Sequence, residues 1–379
     1  MSTDPFSLSL PERPNLEHLR NQAKKLLREF REQDAEAVER VSHFERDLNA
    51  EQFRLQDAQR VIARSYGFSS WPRLKEQVFT DAIKGGDLEH LKQIIQSASD
   101  RSKLLTTRIS QTPTNHAIGK DATLLQFASF RKWQGENMAS AFLDNGVEVD
   151  LHSACGLGMT DRIDELLAAD PAAAGEQVDT YFPLQYAISS GRAESVHALM
   201  KNGDDPNRDL RKVAYFGWED EVLDQQYTSW KPIHMSSLYG FDEERIPVMD
   251  ALREYGVDLN AVSPLDGVRP IHLVAMPNRV HMIRFLVEHG VDVDSRSDSC
   301  QTFALSEGNE GSISGVECTP LMVAAGEGFL EATQCLLELG ADPNAQNSEG
   351  KSALDFAKRK FWNGQPYEQI IEALTAAGS

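Results

Sequence analysis

Thr319–Pro320–Leu321–Met322–Val323–Ala324–Ala325 opens a unit that Leu339–Gly340–Ala341–Asp342–Pro343–Asn344 closes. Pro at the first turn of a helix forfeits no bond, because the first amides of a helix have no partner within it. Gly340 follows the helical run Cys335–Leu336–Leu337–Glu338–Leu339. Glycine there lets the chain leave the helix through a left-handed conformation that other residues adopt at a cost. Asp342 and Asn344 suit the turn beyond it, since their side chains bond nearby backbone amides. The opening phrase recurs as Pro183–Leu184–Gln185–Tyr186–Ala187, Pro232–Ile233–His234–Met235–Ser236 and Pro270–Ile271–His272–Leu273–Val274. Weaker copies are Leu124 to Ala128, Leu151 to Ala154 and Ala353 to Ala357, with a degenerate one at Val78 to Ala82. The closing phrase recurs after Asn145, Asn202, Tyr255 and His289.

The small residue of each opening phrase falls at 82, 128, 154, 187, 236, 274, 324 and 357, and two of the intervals are 33 residues. Self-similarity at that period marks a repeat architecture. In its Thr-Pro-Leu and Gly-Ala-Asp-x-Asn phrases the chain resembles ankyrin-repeat proteins. The resemblance implies an all-α fold with short hairpin-like loops, a solenoid of about eight repeats over residues 79–379. Each repeat would supply two antiparallel helices and bury its apolar face on its neighbours. The longer intervals place insertions near 101–122, 209–228 and 299–315. The last is rich in Ser, Gly, Asn and Glu and reads as a loop. The second carries Tyr215, Phe216, Trp218 and Tyr227, so it either packs on the array or meets a ligand.

Residues 1–78 follow another pattern. Leu16, Leu19, Ala23, Leu26, Leu27 and Phe30 line one helical face. Further helices are expected over Ala35–Phe44 and Leu55–Tyr66, then after Ser70 with Pro72 in the first turn. The phrases Leu10 to Leu19 and Tyr66 to Leu74 are similar to a leader on many bacterial ankyrin proteins. That likeness implies a bacterial, cytoplasmic protein whose leader caps the first repeat.

The net charge is −20, and residues 1–78 hold 13 basic and 13 acidic side chains, so the imbalance lies beyond them. Such a polyanion repels phosphate backbones, which argues against nucleic acid and for a partner protein with a basic surface. The N-terminus has no basic start with an apolar run, and no stretch is long enough to span a bilayer. Cys155, Cys300, Cys318 and Cys335 form no C-x-x-C pair, which argues against a zinc site and a disulfide framework and for a reducing cytoplasm. Only Cys300 and Cys318, which flank an insertion, are placed to pair on oxidation.

His152, His234 and His272 occupy one slot of the repeat that Gln126, Gln185, Met322 and Asp355 fill elsewhere, so they form no metal ladder. The resemblance makes this His a framework residue bonding between neighbouring turns. His281 and His289 lie two turns apart, about 12 Å by helical rise, too far to share an ion. Asp292, Asp294 and Asp298 lack the Gly and terminal Glu of a calcium loop. No metal or cofactor is expected, and no phosphate loop, nucleophile elbow or zinc-protease motif is present.

Family register places variable residues after the small pair of the first helix and just before the Thr-Pro phrase. These slots hold Tyr181 with Ser189–Ser190, Trp230 with Leu238–Tyr239, Val268 with Met276–Pro277, and Cys318 with Gly326–Glu327. The expected contact set is Tyr181, Trp218, Trp230, Tyr239 and Met276, rimmed by Asp266 and Glu317. The rings form either a partner-binding patch or an extra core under the 209–228 insertion. The first function is therefore a protein-interaction scaffold rather than an enzyme. The alternative is a small-ligand site or enzyme for a sugar-like substrate, with Asp179, Asp220, Glu221, Asp266 and Glu317 as its carboxylates. If residues 1–75 cap the array, their deletion leaves a product that aggregates and loses its cooperative melt in circular dichroism; a soluble, cooperatively folded product counts against the cap.

Overall fold

The computed structural model describes residues 5–45, 49–97, 108, 122–130, 138–178, 181–211, 229–238, 242–263, 267–297, 317–359 and 364–379. The chain divides into two compact units, Met1–Pro113 with Ile118–Val149, and Thr114–Ala117 with Asp150–Ser379.

In the first unit, α1 (Leu16–Arg31) starts where Asn15 accepts the amides of Glu17 and His18 at 2.7 and 3.2 Å. Its predicted apolar stripe is buried. It packs with α2 (Ala35–Phe44), α3 (Leu55–Ser65) and the intervening Phe53 in one core. Ser70 caps α4 (Trp71–Lys84), and Pro72 sits in its first turn, as expected. This helix runs without a break through position 78, where the N-terminal segment is expected to end. Its second half begins a helix pair with α5 (Leu88–Ser97), and α6 (Leu124–Ser129) with α7 (Ser140–Leu143) form the next pair. Within the unit α4 packs on α6 and α5 on α7. Arg13 pairs with Asp87 at 2.7 Å, and the His90 ring bonds the Pro14 carbonyl at 2.9 Å, tying the first pair to the segment before α1.

Among the described residues the second unit holds six helix pairs in sequence. They are α8 (Leu151–Leu157) with α9 (Thr160–Ala169), α10 (Pro183–Ser189) with α11 (Ala193–Lys201), and α12 (Pro232–Ser236) with α13 (Asp242–Glu254). Then come α14 (Pro270–Ala275) with α15 (Val280–Glu288), α16 (Pro320–Glu327) with α17 (Leu330–Glu338), and α18 (Ala353–Lys358) with α19 (Tyr367–Ala377). First helices stack on first helices and second on second along the whole series. The fold is an all-α repeat solenoid. Gly340 has φ 93°, and the equivalent glycines 203, 256 and 290 lie between 82° and 90°, the left-handed exit the closing phrase predicts.

Two departures from all-helical structure are small. A 3-10 turn spans Pro171–Gly175, and a two-residue antiparallel ladder pairs Leu210 with Trp230 and Arg211 with Ser229. That ladder closes the base of the 209–228 insertion, whose residues 212–228 lie outside the described residues, as do most of 101–122 and all of 299–315.

The first helices are only five to eight residues long, so most of their end groups need partners from elsewhere. At the C-terminal ends, arginines of the following repeat supply them. Arg192 Nε donates to Gly156 O at 3.4 Å. Arg245 donates to Ile188 O and, at 2.9 Å, to Ser189 O. Arg279 donates to Ser237 O at 2.6 Å and Leu238 O at 2.5 Å. Tyr367 fills the same role with a 2.9 Å bond to Gly326 O. A cation at a helix C-terminus is also favoured by the helix dipole. Both Arg245 and Arg279 are buried, and neither is anticipated from the repeat phrases.

One expectation is overturned. Cys318 is disulfide-bonded, where the spacing argues for no disulfide framework. Spacing measures distance along the chain, whereas a disulfide requires proximity in space; the anticipated partner, Cys300, lies outside the described residues. Cys155 and Cys335 are free and buried, as their helical positions suggest. Thiol counting in denaturant without reductant then finds fewer free thiols than the four cysteines of the chain, and reduction restores the difference. Arg279→Met leaves two buried carbonyls unbonded and lowers unfolding free energy by about 2–4 kcal/mol in urea titrations.

Candidate interaction surface

The slot read as a framework histidine proves to be a junction between repeats. His272 Nδ1 lies 3.3 Å from the amide of Arg269, which can only donate, so Nδ1 accepts and Nε2 carries the hydrogen. Nε2 then donates to the carbonyls of Ser295 and Cys318, each at 3.1 Å. His234 repeats the arrangement, with Nδ1 3.2 Å from the Lys231 amide and Nε2 3.2 Å from Val268 O. His152 Nε2 reaches Tyr181 O at 3.1 Å. Each ring caps the start of its own helix or buries beside it, and holds the loop tip of the following repeat. Burial pushes the His272 imidazole down to about 4, against carbonyl bonds that favour its charged form. Burial also lowers His152, with Asp150 opposing.

Loop tips are stitched to one another by exposed or half-buried cations. Lys231 Nζ bonds Asn207 O at 2.9 Å and Asp209 at 2.6 Å. Arg269 bonds Asn260 O at 2.7 Å and Arg296 O at 3.3 Å, and Arg296 bonds Glu317 O at 3.1 Å and Gln346 O at 2.9 Å. The turns after the second helices are joined as well. Asn207 donates to Gly256 O at 3.0 Å and accepts from the Asp258 amide at 2.9 Å, while Asp294 accepts from the Asp342 amide at 3.1 Å. Asp292 likewise accepts from the Asp294 amide at 3.0 Å. Asp292 and Asp294 thus serve as turn residues, and no group of three or more possible metal ligands occurs among the described residues.

The residues singled out from sequence fall in three places. Tyr181 and Met276 are half-buried and Glu317 is exposed, its backbone at φ 65°. Trp230 is 3% exposed and packs with Leu238, Val268 and Leu273, its ring stacked 6.0 Å from His234. The structure thus joins tip residues of two successive repeats, Trp230 and Val268, in one apolar cluster. Trp218, Tyr239 and Asp266 lie outside the described residues. The first-helix slots Ser189, Ser190 and Leu238 are buried. Of the five carboxylates considered for catalysis only Glu317 is described, and its carboxylate faces Arg296 at 4.0 Å; Asp179, Asp220, Glu221 and Asp266 are not among the described residues.

Residues 233–347 match the family model described as ankyrin repeats, in three copies. The chain carries ankyrin repeats. Among ankyrin proteins it is 27% identical over 231 residues to Ankyrin repeat protein nuc-2 of Neurospora crassa, covering 60% of this chain and 18% of that one. It is 34% identical over 106 residues to human Ankyrin repeat and SOCS box protein 6, covering 28% and 21%. To human Rabankyrin-5 it is 44% identical over 73 residues, 19% of this chain and 6% of the other. The chain therefore spans about a fifth or less of the length of these relatives. All three are eukaryotic and lend no support to the bacterial source that the leader phrases imply. Ankyrin repeats are a protein-interaction module, and no described helix is long and apolar enough to cross a membrane.

The neutral His272 makes stability pH-dependent. Unfolded, it binds a proton near its ordinary 6.5; folded, only near 4. Its contribution is whole above pH 6.5 and is lost as pH falls towards 4, to the extent of about 3 kcal/mol. His272→Gln, the residue that fills this slot at 126 and 185, flattens that part of the profile. Urea midpoints of both proteins from neutral to acid pH check it.

Proposed function

We propose that the protein is a binding scaffold that holds a partner protein with a basic surface against the loop tips and concave face of its central repeats. The observation that carries this reading is where the charge lies. Residues 1–149 hold 21 basic and 21 acidic side chains, and residues 150–379 hold 17 and 37, so the second unit accounts for all of the −20. Several of its few cations are consumed internally, with Arg245 and Arg279 buried on helix ends and Arg269 and Arg296 on loop carbonyls. What faces a partner is mostly carboxylate, which steers and selects a cationic surface. Tips bonded from repeat to repeat are pre-organised, which lowers the ordering cost of binding.

Tyr181, Met276 and Glu317 are the described contact candidates, with Trp218, Tyr239 and Asp266 completing the set proposed from sequence. Trp230 supports them from beneath. A pocket for a sugar-like ligand is the second reading, resting on the carboxylates named above. The same proposal places the chain in a cytoplasm, where the free thiols Cys155 and Cys335 stay reduced.

The test is affinity capture with the intact chain and a Tyr181→Ala, Met276→Ala, Glu317→Lys variant, beside a Glu368→Lys control on the last helix. Recovery of a basic protein by the intact chain and the control, cut about tenfold or more in the triple variant, is the expected result. Equal recovery from all three would move the contact surface elsewhere. A small molecule recovered in place of protein would favour the pocket.

A further inference from the structure

Helix α1 carries a charge pattern opposite to that of the second unit. Arg20, Lys24, Arg28 and Arg31 recur at four-, four- and three-residue steps, so at 100° per residue they fall within one arc, about 16 Å long at 1.5 Å per residue, with Glu17 as the acidic residue at its N-terminal end. The buried stripe Leu16, Leu19, Ala23, Leu26 and Phe30 lies beside this arc, its centre about 120° around the helix. Lys24, Lys25, Arg28 and Arg31 are exposed and Arg20 is partly so. Lys25 and Arg28 approach the same carboxylate, Glu29, at 3.6 and 4.0 Å, so two cations share one anion. Arg31 is held by a 3.0 Å bond to Phe53 O. Cations in a last turn complement the helix dipole, which accounts for Arg28 and Arg31. It does not account for Lys24, which lies in an earlier turn.

The counterpart is on the same chain. One aspartate per repeat, Asp205, Asp258, Asp292 and Asp342, is exposed at the turn after the second helix. Each uses one carboxylate oxygen to accept an amide two residues on, at 2.8, 2.9, 3.0 and 2.8 Å. The bonds between Asn207 and the 256–258 turn, and between Asp294 and Asp342, hold neighbouring turns in line.

We propose that the basic face of α1 docks on this carboxylate row in a second copy of the chain. Two different surfaces meet, so each copy brings one of each to the assembly. Because the exposed charges supply the attraction, association is weakened by salt. The contact uses α1 of the first unit and turn aspartates of the second, and its test changes none of Tyr181, Met276 and Glu317, the residues varied for the partner proposed above.

Sedimentation of the full chain at about 50 mM and about 500 mM salt tests it. Assembly beyond one chain at low salt, lost at high salt, is expected. Lys24→Glu with Arg28→Glu, and separately Asp205→Lys with Asp258→Lys, Asp292→Lys and Asp342→Lys, each lower the associated fraction about tenfold; the α1 variant keeps the parent's melting curve, and the aspartate variant, which loses four turn bonds, melts lower yet stays folded at the temperature of the run. Mixing the two variants restores association, since one then offers its native row and the other its native helix face. A single-chain mass at both salts overturns the proposal. So does undiminished assembly of the α1 variant, or a mixture of folded variants that stays apart.

Discussion

A helix of five residues, such as Pro232–Ser236, has more unpaired end groups than internal hydrogen bonds. That shortage governs the whole second unit. Each first helix must find acceptors for its leading amides, which side chains of its own repeat supply, and donors for its trailing carbonyls, which come from the repeat that follows. His234 and His272 accept at one end and reach forward to the next loop tip. Arginines 192, 245 and 279 reach back from the next repeat to the other end. Apolar stacking brings the pairs together, but these polar junctions fix their registration, because a shifted neighbour would leave buried groups unbonded.

The helix starts and exits were readable because they rest on local chemistry. Pro270 and Ser70 begin helices and Gly340 ends one whatever the neighbours do. Residues whose roles lie across a junction were not. Arg279 reads as an ordinary surface cation, yet it is 7% exposed, and nothing in its local sequence names Ser237 and Leu238 as its acceptors. Trp230 shows the same limit in reverse. Repeat register puts it at a loop tip, and the ladder to Leu210 with the apolar contacts of Val268 and Leu273 turns that tip inward. The flanking of an insertion by Cys300 and Cys318 allowed a bond at Cys318 on oxidation, but sequence separation carries no information on approach in space and so could not decide it.

Charge is divided more sharply than structure. The first unit balances to zero and still presents a basic helix face; the second holds every excess carboxylate. In the second unit burial of cations steepens the contrast, because an arginine capping a helix beneath the surface no longer offsets an aspartate at a turn. Repeat stacking and surface charge are thus linked through one side chain. The residues that join the repeats are taken from the pool that would otherwise neutralise them.

The two-residue ladder between Leu210 and Trp230 has a consequence for how such a chain can change over time. It brings together the two ends of the 209–228 segment at the rim of the stack. Once those ends are pinned, added length costs little, about 0.6 kcal/mol for each doubling of a flexible loop. The rim therefore acts as a splice point, at which sequence can be gained, lost or exchanged while the repeats on either side keep their hydrogen bonds. New specificity can be acquired there without renegotiating the fold.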